Sequence, residues 1–301
     1  MSQAPAPRRP GRRRLGRLDY ALLLLLAGGL GWLAWRVQAS LVYRWDWSVV
    51  GTFLLRLDPE TGRLVPNILL DGLVMTLRLT VWAGLLAAVA GVLVGLATSI
   101  GGPFWRLVGR LYVETIRNLP PLIFIFIFYF FVSSQLMPLL DLRNTVEGLD
   151  PAVQTVLGWL FGPPRLLEPF VAGTLCLGLF EAAFVAEIVR AGIQAIPRGQ
   201  WEAAESLGLA RRDRLRFVIL PQAVQRTVPP LAGQFISLVK DSSIVSLISV
   251  PELTFAASQA VVTTRRVFEL WLTVGAFYFV ICFLLSLLAG RLERRLGQGQ
   301  R

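Results

Sequence analysis

"DGLVMTLRLTVWAGLLAAVAGVLVGLAT", residues 71–98, is apolar throughout except for a few hydroxyls and two charges, Asp71 at its start and Arg78 seven residues in. A run of about 20 apolar residues at 1.5 Å rise per residue matches a hydrocarbon layer about 30 Å thick, so this stretch predicts a transmembrane helix. Gly84, Ala88, Gly91 and Gly95 recur along it. Small side chains at such spacing let a second helix backbone come close. Working outward, apolar runs predict further spans at about 121–137, 169–190, 224–248 and 267–290, and one before them at 19–38. The fold class expected is all-α integral membrane, with six transmembrane helices.

Composition agrees. Of 301 residues, 54% are apolar and 16% charged, which excludes an ordinary soluble domain. The net charge of +11 reads as cytoplasmic loops facing anionic lipid, with no nucleic acid expected. Cys176 and Cys282 fall inside apolar runs and read as small hydrophobes. There is no His, so the usual zinc ligand and general base are both missing, and no metal site is expected.

Around the spans the chain divides into a disordered basic arm (1–18), the extra N-terminal span (19–38), a periplasmic loop (39–70) with a turn at "DPETG", a transmembrane domain (71–290) and a cytoplasmic tail (291–301). Residues 141–168 read as a further loop. For Tyr20–Trp35 a cleaved leader is the other reading; Trp32 and Trp35 suit a helix anchored at an interface instead. With both termini inside, the inner segments hold twenty Lys and Arg and the outer loops eight. That asymmetry supports cytoplasmic termini and places residues 190–226 in the cytoplasm.

Between the fourth and fifth spans lies "EAAESLGLARRDRLRFVILP", residues 202–221. Trp201, Ala204 and Leu207, then Leu215, Val218 and Ile219, give two short helices an apolar face each. Gly208 stands where the first needs a left-handed cap, and Pro221 begins the turn back into the membrane. By pattern alone this is either an interfacial hairpin held by arginine–lipid contacts or a docking element.

The order Glu202-Ala203-Ala204, Gly208, Ile219-Leu220-Pro221 resembles the loop of ABC importer permeases. "YVETIRNLPPL" (112–122), "AAFVAEIVRAGIQAIPRGQWEAA" (182–204) and "LVKDSSIVSLISVPEL" (238–253) are similar to the polar amino-acid branch of that family. The resemblance covers residues 70–290. It departs at Phe124, where many relatives carry Gln, and in the span added before the family's five-helix core. It implies coupling helices at 199–220, with Glu202, Ala203, Ala204, Gly208, Arg211, Arg212, Ile219 and Pro221 engaging a cytoplasmic ATPase dimer. It further implies a second permease subunit, identical or homologous, a periplasmic amino-acid-binding protein, and a place in the bacterial inner membrane.

This chain is not expected to be an enzyme. Its one lysine, Lys240, follows no Gly-x-x-x-x-Gly-Lys, so ATP and Mg belong on the partner and no cofactor on this chain. "SLVK" (237–240) matches a serine acyl-enzyme pattern by coincidence, without the accompanying motifs. Ionisable groups at membrane depth raise a functional hypothesis. Arg78, Glu181, Lys240 and Asp241 are such groups, and Gln234, Ser237 and Asp241 share one face of the fifth span. Arg78 with Glu181 or Asp241 would hold the two poles of an amino-acid zwitterion; pairing among themselves is the structural alternative. Glu187 and Arg190, three apart, read as a gate or local pair. The rival functions are an ion-coupled secondary transporter or channel working without an ATPase, and a membrane anchor for a cytoplasmic complex.

Overall fold

The computed structural model describes residues 16–40 and 43–297; nearly all of the expected basic arm and the last residues of the tail lie outside these. Residues up to Trp45 are a unit of their own, built on helix α1 (Arg17–Ser40). Leu22 to Leu26, Trp32 and Trp35 of α1 are exposed, the state of a helix whose apolar surface is not covered by its own unit.

The second unit starts at Asp46. Helix α2 (Ser48–Leu54) leads into a hairpin of β1 (Leu55–Leu57) and β2 (Leu64–Pro66), antiparallel with Leu57 opposite Leu64. The "DPETG" turn joins the strands as expected. Asp58 accepts hydrogen bonds from Glu60 N and Thr61 Oγ1, and Gly62 takes φ +63°.

Among the described residues, five helical segments are long and apolar enough to cross a membrane. The first is α3 (Ile68–Ile100), begun by the Asn67 side chain accepting from Ile68 N. After the amphipathic helix α4 (Pro103–Asn118), the second segment combines α5 (Pro121–Ile127), a π-helical turn (Phe128–Ser133), α6 (Ser134–Leu140) and α7 (Leu142–Glu147). Helix α8 (Pro151–Phe161) separates it from α9 (Leu167–Gln194). Then follow α10 (Arg198–Ser206), α11 (Arg211–Asp213), a π-helical turn (Arg214–Ile219) and α12 (Leu220–Asp241), extended by a 3-10 segment to Ile248. Helices α13 (Leu253–Thr264) and α14 (Val267–Gly297) complete the chain.

One expectation changes. Residues 141–168 are not a plain loop, because Asp150 accepts from Ala152 N at 2.8 Å, Pro151 pre-sets the first turn, and α8 forms. The segment between the last two spans is likewise a helix, α13, whose Leu253, Ala256, Ala257 and Ala260 are buried.

The core is the seam between α3 and α9, and the small residues of the opening stretch make it. A Cβ on Gly91 would stand 2.5 Å from Val185 Cβ, and one on Gly95 2.7 Å from Val189 Cβ. Gly84 instead meets α12, where a Cβ would stand 2.9 Å from the Phe235 ring. So the small-residue row serves two neighbours. A second tie is polar. Glu252, fully buried, caps α13 by accepting from Phe255 N at 2.8 Å, and its other oxygen accepts from Tyr278 Oη at 2.8 Å and Thr76 Oγ1 at 3.3 Å. One carboxylate thereby joins α3, α13 and α14.

Candidate coupling and translocation site

The 202–221 hairpin is built from local rules and then fastened to the membrane helices. Gly208, at φ +72°, donates to Glu205 O at 2.9 Å, and Leu209 N donates to Ala204 O at 3.3 Å. This pair of bonds is a Schellman cap, and it needs the left-handed backbone that glycine adopts freely. Arg214 bridges to Glu205 at 2.9 Å across the bend.

The second arm is not a separate short helix. It runs from Arg211 through the π-helical turn straight into α12, so Pro221 lies within the first turn of a continuous rod and begins no turn. Leu220 N bonds five residues back to Leu215 O, and this widened turn accommodates a proline that lacks its own N–H. Leu207 also departs from expectation: it is 79% exposed, whereas Ala204 is 2% exposed. Six residues at 100° each carry Leu207 well away from the Trp201 direction, and it falls on the cap itself. Trp201, Leu215, Val218 and Ile219 pack with Ile193, Ile196 and Ala223.

Three polar contacts fasten the hairpin and the first turns of α12 that follow it. Arg211 donates to Ile100 O, the end of α3, at 3.0 Å. Arg226 donates to Ala195 O, the end of α9, at 2.5 Å. Gln222 donates to Gln200 Oε1 at 3.1 Å, tying α12 to α10. Arginines at helix C-termini satisfy the open carbonyls and the negative end of the dipole. Sequence reading placed Arg211 on the partner-facing side; here it caps α3. Arg226, Gln222 and Arg214 carry no local signal individually, because their partners lie 31, 22 and nine residues away across bends whose geometry only the fold fixes. Glu202, Ala203, Arg212, Leu207, Arg216 and Phe217 remain exposed on the outer face of the hairpin.

Deeper in the bundle, Gln234 of α12 donates to Glu181 of α9 at 2.6 Å. Glu181 is 1% exposed, and its other oxygen, Oε1, has no partner. Asp241 approaches the same carboxyl group. Glu181 and Gln234 line a cavity of about 120 Å³ whose other walls, including Gly84, Ala88 and Leu238, are apolar. Ser237 is half-buried on α12 and lines neither this cavity nor the next. Lys240 is exposed. Arg78 is not brought to Glu181 or Asp241; it lines a separate cavity with Asp71 and Arg165. Arg78 and the Gly84–Ala88 side of α3 lie on different faces of one helix, which periodicity over six or ten residues requires.

Glu187 and Arg190 do pair, with two bonds at 2.5 and 2.7 Å, and Arg117 of α4 joins Glu187 at 3.5 Å. The cluster borders a polar cavity of about 290 Å³ shared by α3, α4 and α9. Near it Tyr112 donates to Leu179 O, and burial pushes its phenol up to about 12.

Known proteins agree with this architecture. Residues 81–298 match the family described as binding-protein-dependent transport system inner membrane component. The glutamine transport system permease protein GlnP of Escherichia coli (strain K12) is 32% identical over 229 residues, covering 76% of this chain and 93% of that protein. The glutamate/aspartate import permease protein GltJ of the same strain is 30% identical, covering 83% and 94%. Among solved structures, an amino acid ABC transporter crystallised with histidines is 33% identical with a TM-score of 0.60, covering 76% of this chain and 94% of its own. This chain belongs to the family of binding-protein-dependent transport system inner membrane components.

Proposed function

We propose that this chain is the membrane-spanning subunit of an ATP-driven importer for polar amino acids, resident in a bacterial inner membrane with both termini in the cytoplasm and α1 as a sixth crossing. The observation that carries the coupling mechanism is that Arg211 of the 198–221 hairpin bonds the carbonyl end of α3 while Arg226, just beyond it on α12, bonds that of α9. A partner that grips the exposed face of Glu202, Ala203, Leu207 and Arg212 moves both helices when it moves. ATP and Mg sit on that partner, an ATPase dimer. Across the membrane a second permease subunit completes the pathway, and a periplasmic binding protein delivers substrate. Each partner biases a two-state element by binding its states unequally.

Substrate recognition in this reading belongs to the Glu181 cavity. A buried carboxylate with a free oxygen, a second carboxyl group nearby and an amide from Gln234 suit the ammonium group of an amino acid. Apolar walls exclude water and strengthen that attraction.

The test is purification of the full chain from its native membranes, with mass spectrometry of what accompanies it, alongside Gly208→Asp. An ATPase recovered with the parent and lost with Gly208→Asp is the expected result. A parent that purifies alone yet moves solute in liposomes overturns the reading and makes the buried carboxylates an ion pathway.

A further inference from the structure

We propose that the cavity between α3, α13 and the Gly162–Arg165 turn is a second binding site, taking a small zwitterion with its anionic group on Arg78 and Arg165 and its ammonium group on Asp71. The inference rests on the importer reading and adds an outer subsite to it. The cavity measures about 410 Å³, within the range of sites that hold small molecules. It shares no lining residue with the Glu181 cavity.

Charge carries the argument. Arg78 is half-buried at membrane depth, and among the described residues neither it nor Arg165 takes part in an ion pair. An ionised group in such a place calls for a counter-charge. Asp71, two turns from Arg78 on the same helix, lines the cavity too, leaving two cations against one anion. An anionic group enters first, and Asp71 receives the positive pole. Gln259 of α13 adds an amide that can donate or accept, and Met75 and Phe255 supply apolar walls.

The turn holds the site in shape. Gly162 takes φ +104°, and a Cβ there would stand 3.6 Å from Arg78 Nη1 and 3.3 Å from Met75 Cε. Pro163 and Pro164 follow, and their fixed φ sets the backbone that presents Arg165. Arg78 therefore lies against a rigid turn and not in a mobile loop. A free amino acid and a phosphatidylethanolamine headgroup both carry this pair of charges, and the experiment separates them.

The full chain, with Cys176→Ala and Cys282→Ala, carries a trifluoromethyl tag on Val262→Cys, one turn beyond Gln259 and 81% exposed. It is placed in phosphatidylcholine nanodiscs and titrated with L-glutamine while fluorine NMR follows the tag. The expected result is a saturable shift whose midpoint rises at least tenfold in Arg78→Gln and in Asp71→Asn. Arg78→Lys recovers part of the loss, and Glu181→Gln leaves the shift in place. If phosphatidylethanolamine alone produces the shift, and Arg78→Gln abolishes it, the site stands with lipid as its zwitterion. No saturable shift with either probe, or one equal in every variant, overturns the proposal. Uptake of labelled glutamine by the assembled transporter is measured in parallel. If the parent imports and Arg78→Gln imports equally well without any tag response, only this site falls. If the parent imports no amino acid, the importer reading falls with it.

Discussion

Glu252 shows how much one side chain decides. It is 0% exposed, and its pKa is raised from an ordinary 4.5 because burial outweighs the bonds it accepts from the α13 backbone, Tyr278 and Thr76. A carboxyl group with a raised folded pKa holds its proton more tightly in the native protein than in the unfolded chain. Its contribution to stability is fully present below 4.5 and is lost as pH rises through the folded value. Thermal unfolding of the detergent-solubilised chain is therefore expected to show a midpoint that falls as pH rises above 4.5, with a shallower slope in Glu252→Gln. An unchanged slope in the variant would remove Glu252 as the cause. From the sequence this residue was not singled out. Its partners Thr76 and Tyr278 lie 176 and 26 residues away.

At the scale of elements, close packing and capping divide the labour. The α3–α9 seam tolerates nothing larger than glycine at Gly91, where a Cβ would come within 2.5 Å of Val185. Gly91→Leu is expected to destabilise by about 1–3 kcal/mol or more, as overpacked cores do. Gly28→Leu in α1, with nothing within 4 Å of its Cβ position, serves as the comparison and is expected to leave the unfolding midpoint in place. Equal effects of the two would mean the seam is looser than its geometry. The 202–221 hairpin makes a different demand. Arg211→Ala with Arg226→Ala removes both ties to the helix ends while sparing the exposed face. ATPase binding is expected to persist, and uptake per ATP hydrolysed to fall at least tenfold, since two charge-assisted bonds of about 1.5–3 kcal/mol each are gone. Uptake that stays proportional to hydrolysis would show that the hairpin transmits motion by packing alone.

For the whole molecule, topology is the testable quantity. With Cys176 and Cys282 replaced, single cysteines at Leu207 and Thr61 are expected to react with a membrane-impermeant maleimide from opposite sides, Leu207 from the cytoplasm. Labelling of both from one side would refute the orientation argued from arginine placement. The orientation argued from charge is what the labelling decides. The five apolar helical segments and the Gly208 cap were legible in the sequence. Each depends on a local property: the length of an apolar run or the φ a glycine can take. The resemblance of 202–221 to a coupling loop was legible as well, because its residues are close together in the chain. What only the tertiary structure decided is which distant groups meet. Glu181 takes Gln234 and not Arg78; Arg211 and Arg226 turn inward to cap α3 and α9; Arg78 and Arg165 face one cavity across 87 positions of chain. Helix periodicity says which face a residue occupies, but not which helix comes to cover that face. Here that choice was made by glycines that admit α9 within van der Waals contact and by carbonyls and carboxylates that must find partners once water is excluded.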